Sequence, residues 1–284
     1  MKIIVDIKEM HDYIKKIKKR GSSIGFVPTM GYLHEGHLSL VRRAGEENKK
    51  VIVSIFVNPI QFGPAEDFDK YPRDTERDLK MLKELKCVDC VFMPEAKDMY
   101  KEDFATYVEL KNNMPNVLCG VSRPGHFVGV TTVVAKLLNI VQSDRLYLGQ
   151  KDMQQAVILK KMIDDLNYDT EVVICPIVRE KDGLAMSSRN TYLSPEEREL
   201  APILHQSLQI AESMIELGEK DIEKIRDEVK RKLNKANIKI DYIEIVDADT
   251  LQKKETLQGK ILIAAAIYIG KTRLIDNTII NIPD

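Results

Sequence analysis

The sequence predicts an α/β fold, a doubly wound parallel sheet followed by a second, smaller α+β domain, and three observations predict it. Short β-rich runs alternate with amphipathic helical runs between residues 24 and 175. Beyond Pro176 the alternation gives way to two helical stretches and then two strands. The 284 residues, 44% of them hydrophobic, exceed one average domain and supply a core for each of two. The expected division is 1–176 and 177–284.

In order along the chain, IGFVPT (24–29), VIVSIFVN (51–58), CVFMP (90–94), RLYLG (145–149) and EVVICP (171–176) are β-branched or aromatic runs of strand length. Between them, 36–48, 74–86, 130–142 and 152–166 space apolar residues three and four apart, as at Leu79, Leu82 and Leu85, which gives each helix one face to lay on a sheet. This is the Rossmann-like pattern, in which ligands bind outside the carboxyl ends of the strands. Residues 95–129 break the pattern, and Pro115, Gly120, Pro124 and Gly125 point to irregular structure near a site. In the second half a loop, REKDGLAMSSRN (179–190), leads to a marked helix start: Ser194 as N-cap, Pro195 in the first turn, Glu197 as the reciprocal acid. Helices over 195–217 and 220–235 and strands over 238–247 and 261–270 follow.

With 43 basic and 44 acidic residues, a formal net charge of −1, no field draws the whole chain to nucleic acid or an anionic membrane. Any phosphate binding is therefore local. Asp6 and Glu9 interrupt the apolar region a secretion signal needs, and no segment approaches 18 uncharged apolar residues, so a cytoplasmic protein without a membrane span is expected. Cys87 and Cys90 have C-x-x-C spacing, but no second pair accompanies them, and the strand-like KCVDCVFMP predicts buried, reduced thiols. The basic run KKIKKR (15–20), with Ile14 and Ile17 on one side, reads as a solvated helix face. Ala265 to Thr272 ends in Gly-Lys-Thr, yet it lacks the first glycine of a phosphate loop and runs into RLIDN where a helix would be required.

The strongest chemical signal is PTMGYLHEGHLSL (28–40), where a strand passes through a glycine-containing turn into a helix carrying His34 and His37. Unpaired N–H groups and the dipole at a helix start attract phosphate. Imidazoles three residues apart share one helical face and donate hydrogen bonds without fixed charge. Gly31 and Gly36 let backbone approach a ligand. Asn58 and Gln61 follow an apolar strand, and GQKD (149–152) sits where a strand gives way to a helix, with Asp152 at a capping position. Ser187, Ser188 and Arg189 make an oxyanion-binding set that complements Lys151.

H-x-G-H after the first of these strands resembles the signature of the nucleotidylyltransferase and class I aminoacyl-tRNA synthetase superfamily, and the longer string is similar to the pantothenate synthetase family. SIFVNPIQF (54–62), YPR (71–73), SRPGHFVGVTTVVAKLLNIV (122–141), GQKDMQQ (149–155) and GLAMSSRN (183–190) resemble that family's blocks in order, over most of the chain. The resemblance implies an ATP-dependent ligase that joins pantoate to β-alanine through a pantoyl-adenylate, with Mg²⁺ on the nucleotide phosphates, in a homodimer. It implies ATP contacts from Met30, Gly31, Tyr32, Leu33, His34, Glu35, Gly36 and His37, from Gly149, Gln150, Lys151 and Asp152, and from Val178, Met186, Ser187, Ser188 and Arg189. Gln61 and Gln155 are implied to bind pantoate, and Asn58 to line the substrate site facing the phosphates. Asp78, in RDTERDLK (73–80), is the candidate metal ligand, although Arg77 stands where some relatives have a second acid. His37, His34, Lys151 and Arg189 form the implied catalytic set, with His37 as proton donor.

Three other readings share parts of this pattern. A nucleotidylyltransferase would share H-x-G-H, but NPIQF and GQKDMQQ carry amides where further basic residues would be expected. A tRNA-charging enzyme lacks its tRNA-reading domain and positive charge here. A nucleotide sensor would keep the nucleotide contacts without needing a complete acid site.

Overall fold

The computed structural model describes residues 1–64, 66–236 and 238–282. Its elements run β1 (Lys2–Ile4), α1 (Ile7–Lys18), β2 (Ile24–Thr29), α2 (Glu35–Glu47), β3 (Lys50–Ile55), α3 (Thr75–Glu84), β4 (Cys90–Phe92), α4 (Ala96–Met99), α5 (Cys119–Ser122), α6 (His126–Val141), β5 (Arg145–Gly149), α7 (Met153–Asp165) and β6 (Glu171–Cys175). Then come α8 (Pro195–Leu200), α9 (Ile203–Glu216), α10 (Ile222–Lys235), β7 (Lys239–Asp247), β8 (Gly259–Ile269) and β9 (Thr272–Ile282). Short 3-10 turns lie at Pro59–Gln61, Met114–Asn116, Gln150–Asp152 and Ser188–Tyr192.

Strands β1 to β6 form one parallel sheet in the order β1-β4-β3-β2-β5-β6. From β2 the chain winds outward through β3 to β4, then returns to β2's other side for β5 and β6, so the winding reverses at β2. That reversal leaves a crevice at the carboxyl ends of the central strands, where open α/β sheets take their ligands. The apolar runs explain the sheet's stability: Phe26, Ile52, Val53, Phe92 and Tyr147 are fully buried, each worth roughly 1.5–3 kcal/mol of transfer from water for side chains of this kind. Leu38, Val41 and Ala44 of α2 and Leu82 of α3 pack on one face with Val27, Val51 and Val91.

The chain packs as two compact units. One comprises Met1–Asn112, Arg123–Gly149 and Ile158–Pro176; the other comprises Asn113–Ser122, Gln150–Val157 and the chain from Ile177 onward. The second unit is an antiparallel sheet, β7-β8-β9, on which α9 and α10 lay Leu204, Leu208, Ile225, Val229 and Leu233 against Ile243, Ile261, Ile263 and Ile267.

Several expectations are adjusted. The edge strand β1 is three residues long, too short to show a period. RLIDN, for which the sequence pattern proposed no element, lies in strand β9: Asp276 and Asn277 interrupt its apolar pattern but are themselves buried and bonded. The helix expected over 195–217 is two helices, α8 and α9, with Pro202 as the N-cap of the second, where its missing N–H costs nothing. Ser194 and Glu197 do form the reciprocal cap. Lys271 and Thr272 follow Gly270, at φ +55°, in the hairpin turn between β8 and β9, so Gly-Lys-Thr is not a phosphate loop. Ile14 and Ile17 are buried beneath an exposed basic face of α1. All four cysteines are free, Cys90, Cys119 and Cys175 buried and Cys87 half-buried. No described helix is long and apolar enough to cross a membrane.

Candidate active site

The segment Met30–Leu33 leaves the carboxyl end of β2 and turns into α2. Gly31 sits at φ +82° and Tyr32 at φ +50°, and a Cβ on Gly31 would lie 3.0 Å from the Ile55 side chain and 3.1 Å from Asp78 Oδ2. Glycine is therefore required twice over, by conformation and by space. Asp78 of α3, 1% exposed, clamps the turn: the backbone N–H of Tyr32 donates to Oδ2 at 2.7 Å and that of Leu33 to Oδ1 at 2.7 Å. Arg77 lies over the Tyr32 ring, 5.1 Å from its centroid. Burial pushes the Asp78 carboxyl above its usual range, and the two amide donors pull it back toward the ionised form.

Each Asp78 oxygen accepts one backbone N–H, so this carboxylate shapes the turn ahead of the histidines.

His34 is the N-cap of α2, and its backbone N–H donates to His37 Nδ1 at 3.3 Å, with the ring centroids 4.0 Å apart. A ring nitrogen that accepts is unprotonated, so neutral His37 carries its proton on Nε2. Glu35 is exposed and ion-paired with Arg42, so its carboxylate is directed to the helix surface.

At the carboxyl end of the neighbouring strand β3, the 3-10 turn Pro59–Gln61 packs against α6. Gly129 makes this approach possible, since a Cβ there would stand 2.4 Å from Ile60 O and 2.5 Å from Gln61 Cα. Asn58, 1% exposed, donates from Nδ2 to Gly129 O at 3.1 Å and to Gln61 Oε1 at 3.0 Å, and accepts from the Tyr100 hydroxyl at 2.7 Å. Its amide thus makes three hydrogen bonds inside the protein. Gln61 keeps Nε2 near Met30 Sδ at 3.2 Å. His126 Nδ1 lies 2.8 Å from Gln61 O, and its Nε2 lies 3.0 Å from Arg123, itself paired with Glu66. Arginine only donates, so His126 Nε2 accepts and Nδ1–H donates to the carbonyl. Gly149, at the end of β5, would meet nothing within 4 Å if it carried a Cβ.

In the second unit, Asn277 of β9 donates to the carbonyls of Gln150 (2.9 Å) and Lys151 (3.1 Å), fixing the turn that carries Lys151. Lys151 Nζ lies 3.6 Å from the Asp152 carboxylate. Of the two adjacent glutamines on α7, Gln154 is spent on structure: Oε1 accepts from Cys119 N–H, and Nε2 donates to the carbonyls of Met114 and Val117. Gln155 is half-buried and makes no such bond among the described residues.

The loop 178–190 folds back on itself. Met186 N–H donates to Val178 O at 3.0 Å and Asn190 Nδ2 to Ala185 O at 3.1 Å, while the Ser187 hydroxyl accepts from the Arg189 N–H. Gly183, at φ +93°, makes the bend. Arg179 donates to both oxygens of Asp276, at 2.6 and 3.0 Å, and to Gly183 O. Ser188 is buried and Val178, Met186, Ser187 and Arg189 are half-buried. The sequence pattern did not single out Tyr100, Gly129, Arg179, Asp276 or Asn277. A polar Asp-Asn pair inside an apolar strand was the available signal for the last two.

The model of the pantoate-beta-alanine ligase family matches residues 2–279. The chain is 57% identical over 281 residues to the pantothenate synthetase of Thermotoga petrophila, covering 99% of this chain and 100% of the relative. It is 55% identical over 283 residues to that of Caldicellulosiruptor saccharolyticus, at 99% and 100% coverage. The crystal structure of pantothenate synthetase from Thermus thermophilus is similar with a TM-score of 0.93 at 42% identity, covering 98% of this chain and 99% of that one. The pantoate-beta-alanine ligase of Francisella tularensis complexed with beta-gamma ATP and beta-alanine gives a TM-score of 0.80 at 39% identity, with 98% and 97% covered. With the whole length matched at this identity, and with the parallel sheet and the H-x-G-H turn in place, the chain belongs to the pantoate-beta-alanine ligase family.

Proposed function

We propose that this enzyme condenses pantoate with β-alanine in two steps. The pantoate carboxylate attacks the α-phosphorus of ATP and pyrophosphate leaves; the free amine of β-alanine then attacks the acyl carbon of pantoyl-adenylate and AMP leaves. The observation that carries this reading is Gln61, a buried amide whose N–H₂ group, among the described residues, meets a thioether sulfur and no oxygen, close to the turn that precedes His34 and His37. A neutral donor of this kind recognises a carboxylate or hydroxyl oxygen without quenching its nucleophilicity. The Francisella relative, complexed with beta-gamma ATP and beta-alanine, supports those two substrates here.

No protein nucleophile is required. The helix start at His34, the Nε2–H of His37, Lys151, Ser187, Ser188 and Arg189 serve to position phosphates and to stabilise charge as pyrophosphate departs. Gln61 and Gln155 hold the small acid. The remaining ATP contacts are proposed along 30–37, 149–152 and at Val178 and Met186. Mg²⁺ arrives on the ATP phosphates, and Asp78, whose oxygens each accept one backbone N–H and keep a further lone pair, is the candidate protein carboxylate beside it. A cytoplasmic homodimer completes the proposal on the strength of the family resemblance, and light scattering would test its mass.

The decisive experiment supplies ATP, Mg²⁺ and pantoate without β-alanine. A bound acyl-adenylate makes the first step reversible, because the transition state stabilised forward is also stabilised backward. Labelled pyrophosphate should enter ATP only when pantoate is present, and β-alanine should then yield AMP and pantothenate in equal amounts. ADP as product, or exchange independent of pantoate, would overturn the proposal.

A further inference from the structure

Gly129 O is a backbone carbonyl and can only accept, so the Asn58 side-chain atom 3.1 Å from it must be nitrogen. The other Asn58 atom is therefore oxygen, and the Tyr100 hydroxyl 2.7 Å away must donate to it. By the same reasoning the Gln61 atom 3.0 Å from Asn58 Nδ2 must be its oxygen. Gln61 is thereby left to present its N–H₂ group, which meets the weakly accepting Met30 sulfur at 3.2 Å. The orientation of an exchangeable amide is thus dictated from two fixed points, one on α6 and one on a tyrosine.

Tyr100 is well anchored for that task. Its ring lies 5.0 Å from that of Phe104 and 6.3 Å from that of Phe56, with Lys136 Nζ 5.7 Å above it. Burial holds the phenol well above its usual range, so it stays a donor at every working pH. Gly129 brings α6 close enough for its carbonyl to reach Asn58.

We infer that Tyr100 is a positioning residue: through Asn58 it fixes Gln61 as a hydrogen-bond donor, and so selects for an acceptor oxygen on the acid substrate. The inference rests on the reading of Gln61 as part of the acid site. Without the Tyr100 hydroxyl, the Asn58 oxygen is buried without its donor, and the amide is held at one point, Gly129 O, instead of two, so its plane is free to tilt. Gln61 then loses the partner that holds its oxygen, and its own amide is no longer biased toward donation. The chemistry predicts weaker pantoate binding with ATP binding untouched.

The test is a double-mutant cycle on pantoate affinity, measured by calorimetry on the full chain, using Tyr100→Phe, Gln61→Ala and the double variant. Phe keeps the ring contacts. Tyr100→Phe should weaken pantoate binding about tenfold, and Gln61→Ala by about ten- to a hundredfold, as expected when a buried partner is lost. The double variant should be no weaker than Gln61→Ala alone, whereas a merely structural role for Tyr100 would add its cost in both backgrounds. If Gln61→Ala weakens pantoate but the two effects add in full, the positioning inference falls while the acid site stands. If Gln61→Ala leaves pantoate affinity unchanged, both fall. A measurement on the wild type needs no variant to fold: the ¹⁵N-labelled Asn58 N–H₂ should resist solvent exchange with or without pantoate, while that of Gln61 becomes protected only when pantoate is added. Rapid exchange at Asn58 would overturn the inference.

Discussion

Two loops carry the motifs most easily recognised in this chain, and they are held by different physics. The turn Met30–Leu33 hangs on one buried carboxylate, Asp78, that receives two backbone N–H groups. The loop 178–190 is anchored by an ion pair, Arg179 with Asp276, whose aspartate is buried and also caps the Asn277 N–H. In the first case a charge neutralises peptide dipoles; in the second it neutralises another charge. A carboxylate on amides fixes backbone, and so fixes where a helix starts. An ion pair fixes two side chains and leaves the loop between them to be set by its own hairpin bonds and Gly183. The consequence of removing each anchor should differ accordingly.

The largest effect is expected at the ion pair. Asp276→Ala leaves the Arg179 guanidinium in a largely buried place without its partner, a change of the class that costs about 3–5 kcal/mol. Thermal or urea unfolding should register it as a lower midpoint. The double variant Arg179→Met with Asp276→Leu removes both charges and should recover most of that loss, since apolar replacements of a buried pair are often neutral. It should not recover turnover, because the bonds from Arg179 to Gly183 O and from Asp276 to the Asn277 N–H are gone. Full recovery of both would show that the pair contributes nothing to the loop's shape.

Asp78→Asn is the matching experiment on the other loop, with a smaller effect on stability. One oxygen remains to accept an amide and the other becomes an N–H₂ facing an N–H donor, so about 1–3 kcal/mol of stability should be lost. Turnover should suffer more than stability, because the Gly31–Leu33 turn sets the start of the helix bearing His34 and His37. A variant with normal turnover and a lowered midpoint would make Asp78 a packing residue only. A variant that instead needs far more Mg²⁺ at unchanged stability would assign Asp78 to the metal.

How far each loop was legible in the sequence follows from the same contrast. Gly31, His34 and His37 lie within seven residues of one another and could be read from spacing alone, because helix periodicity and turn chemistry are local. Asp78 could be read only as an acid near the site, because the backbone groups it clamps lie 45 and 46 positions back in the chain. The internal bonds of Asn58 were out of reach for the same reason: its partners Tyr100 and Gly129 lie 42 and 71 residues on. The parallel sheet was legible because each buried strand writes its own apolar run. Strand β9 was not, because its two buried polar residues are satisfied by Arg179, Gln150 and Lys151, none of which is near in sequence.

The smallest expected effect sharpens the comparison through pH. His205 of α9 packs beside the Arg179 anchor: a Cβ on Gly183 would stand 2.5 Å from its ring, and its Nδ1 is buried without a hydrogen-bond partner. Burial, then the Arg179 charge, hold its pKa below the ordinary value, while Asp276 and Glu212 oppose them. In the unfolded chain the imidazole takes its proton at about pH 6.5; in the folded state it takes one only at lower pH. On acidification the unfolded state therefore binds protons first, and stability is fully present above that pH and falls as pH drops through it toward the folded value. One such group can change the slope of stability against pH by at most about 1.4 kcal/mol per unit. Urea midpoints measured from pH 7.5 down to 5 should decline in the wild type, and His205→Leu should flatten the decline. Asp276→Ala should steepen it, since removing the carboxylate leaves only Glu212 to offset burial and the Arg179 charge. The described bonds of Asp78 are to backbone N–H groups and not to an imidazole, so Asp78→Asn should leave the wild-type slope across this window unchanged. A steepening there equal to that of Asp276→Ala would mean that the two loops do not differ in the way their anchors indicate.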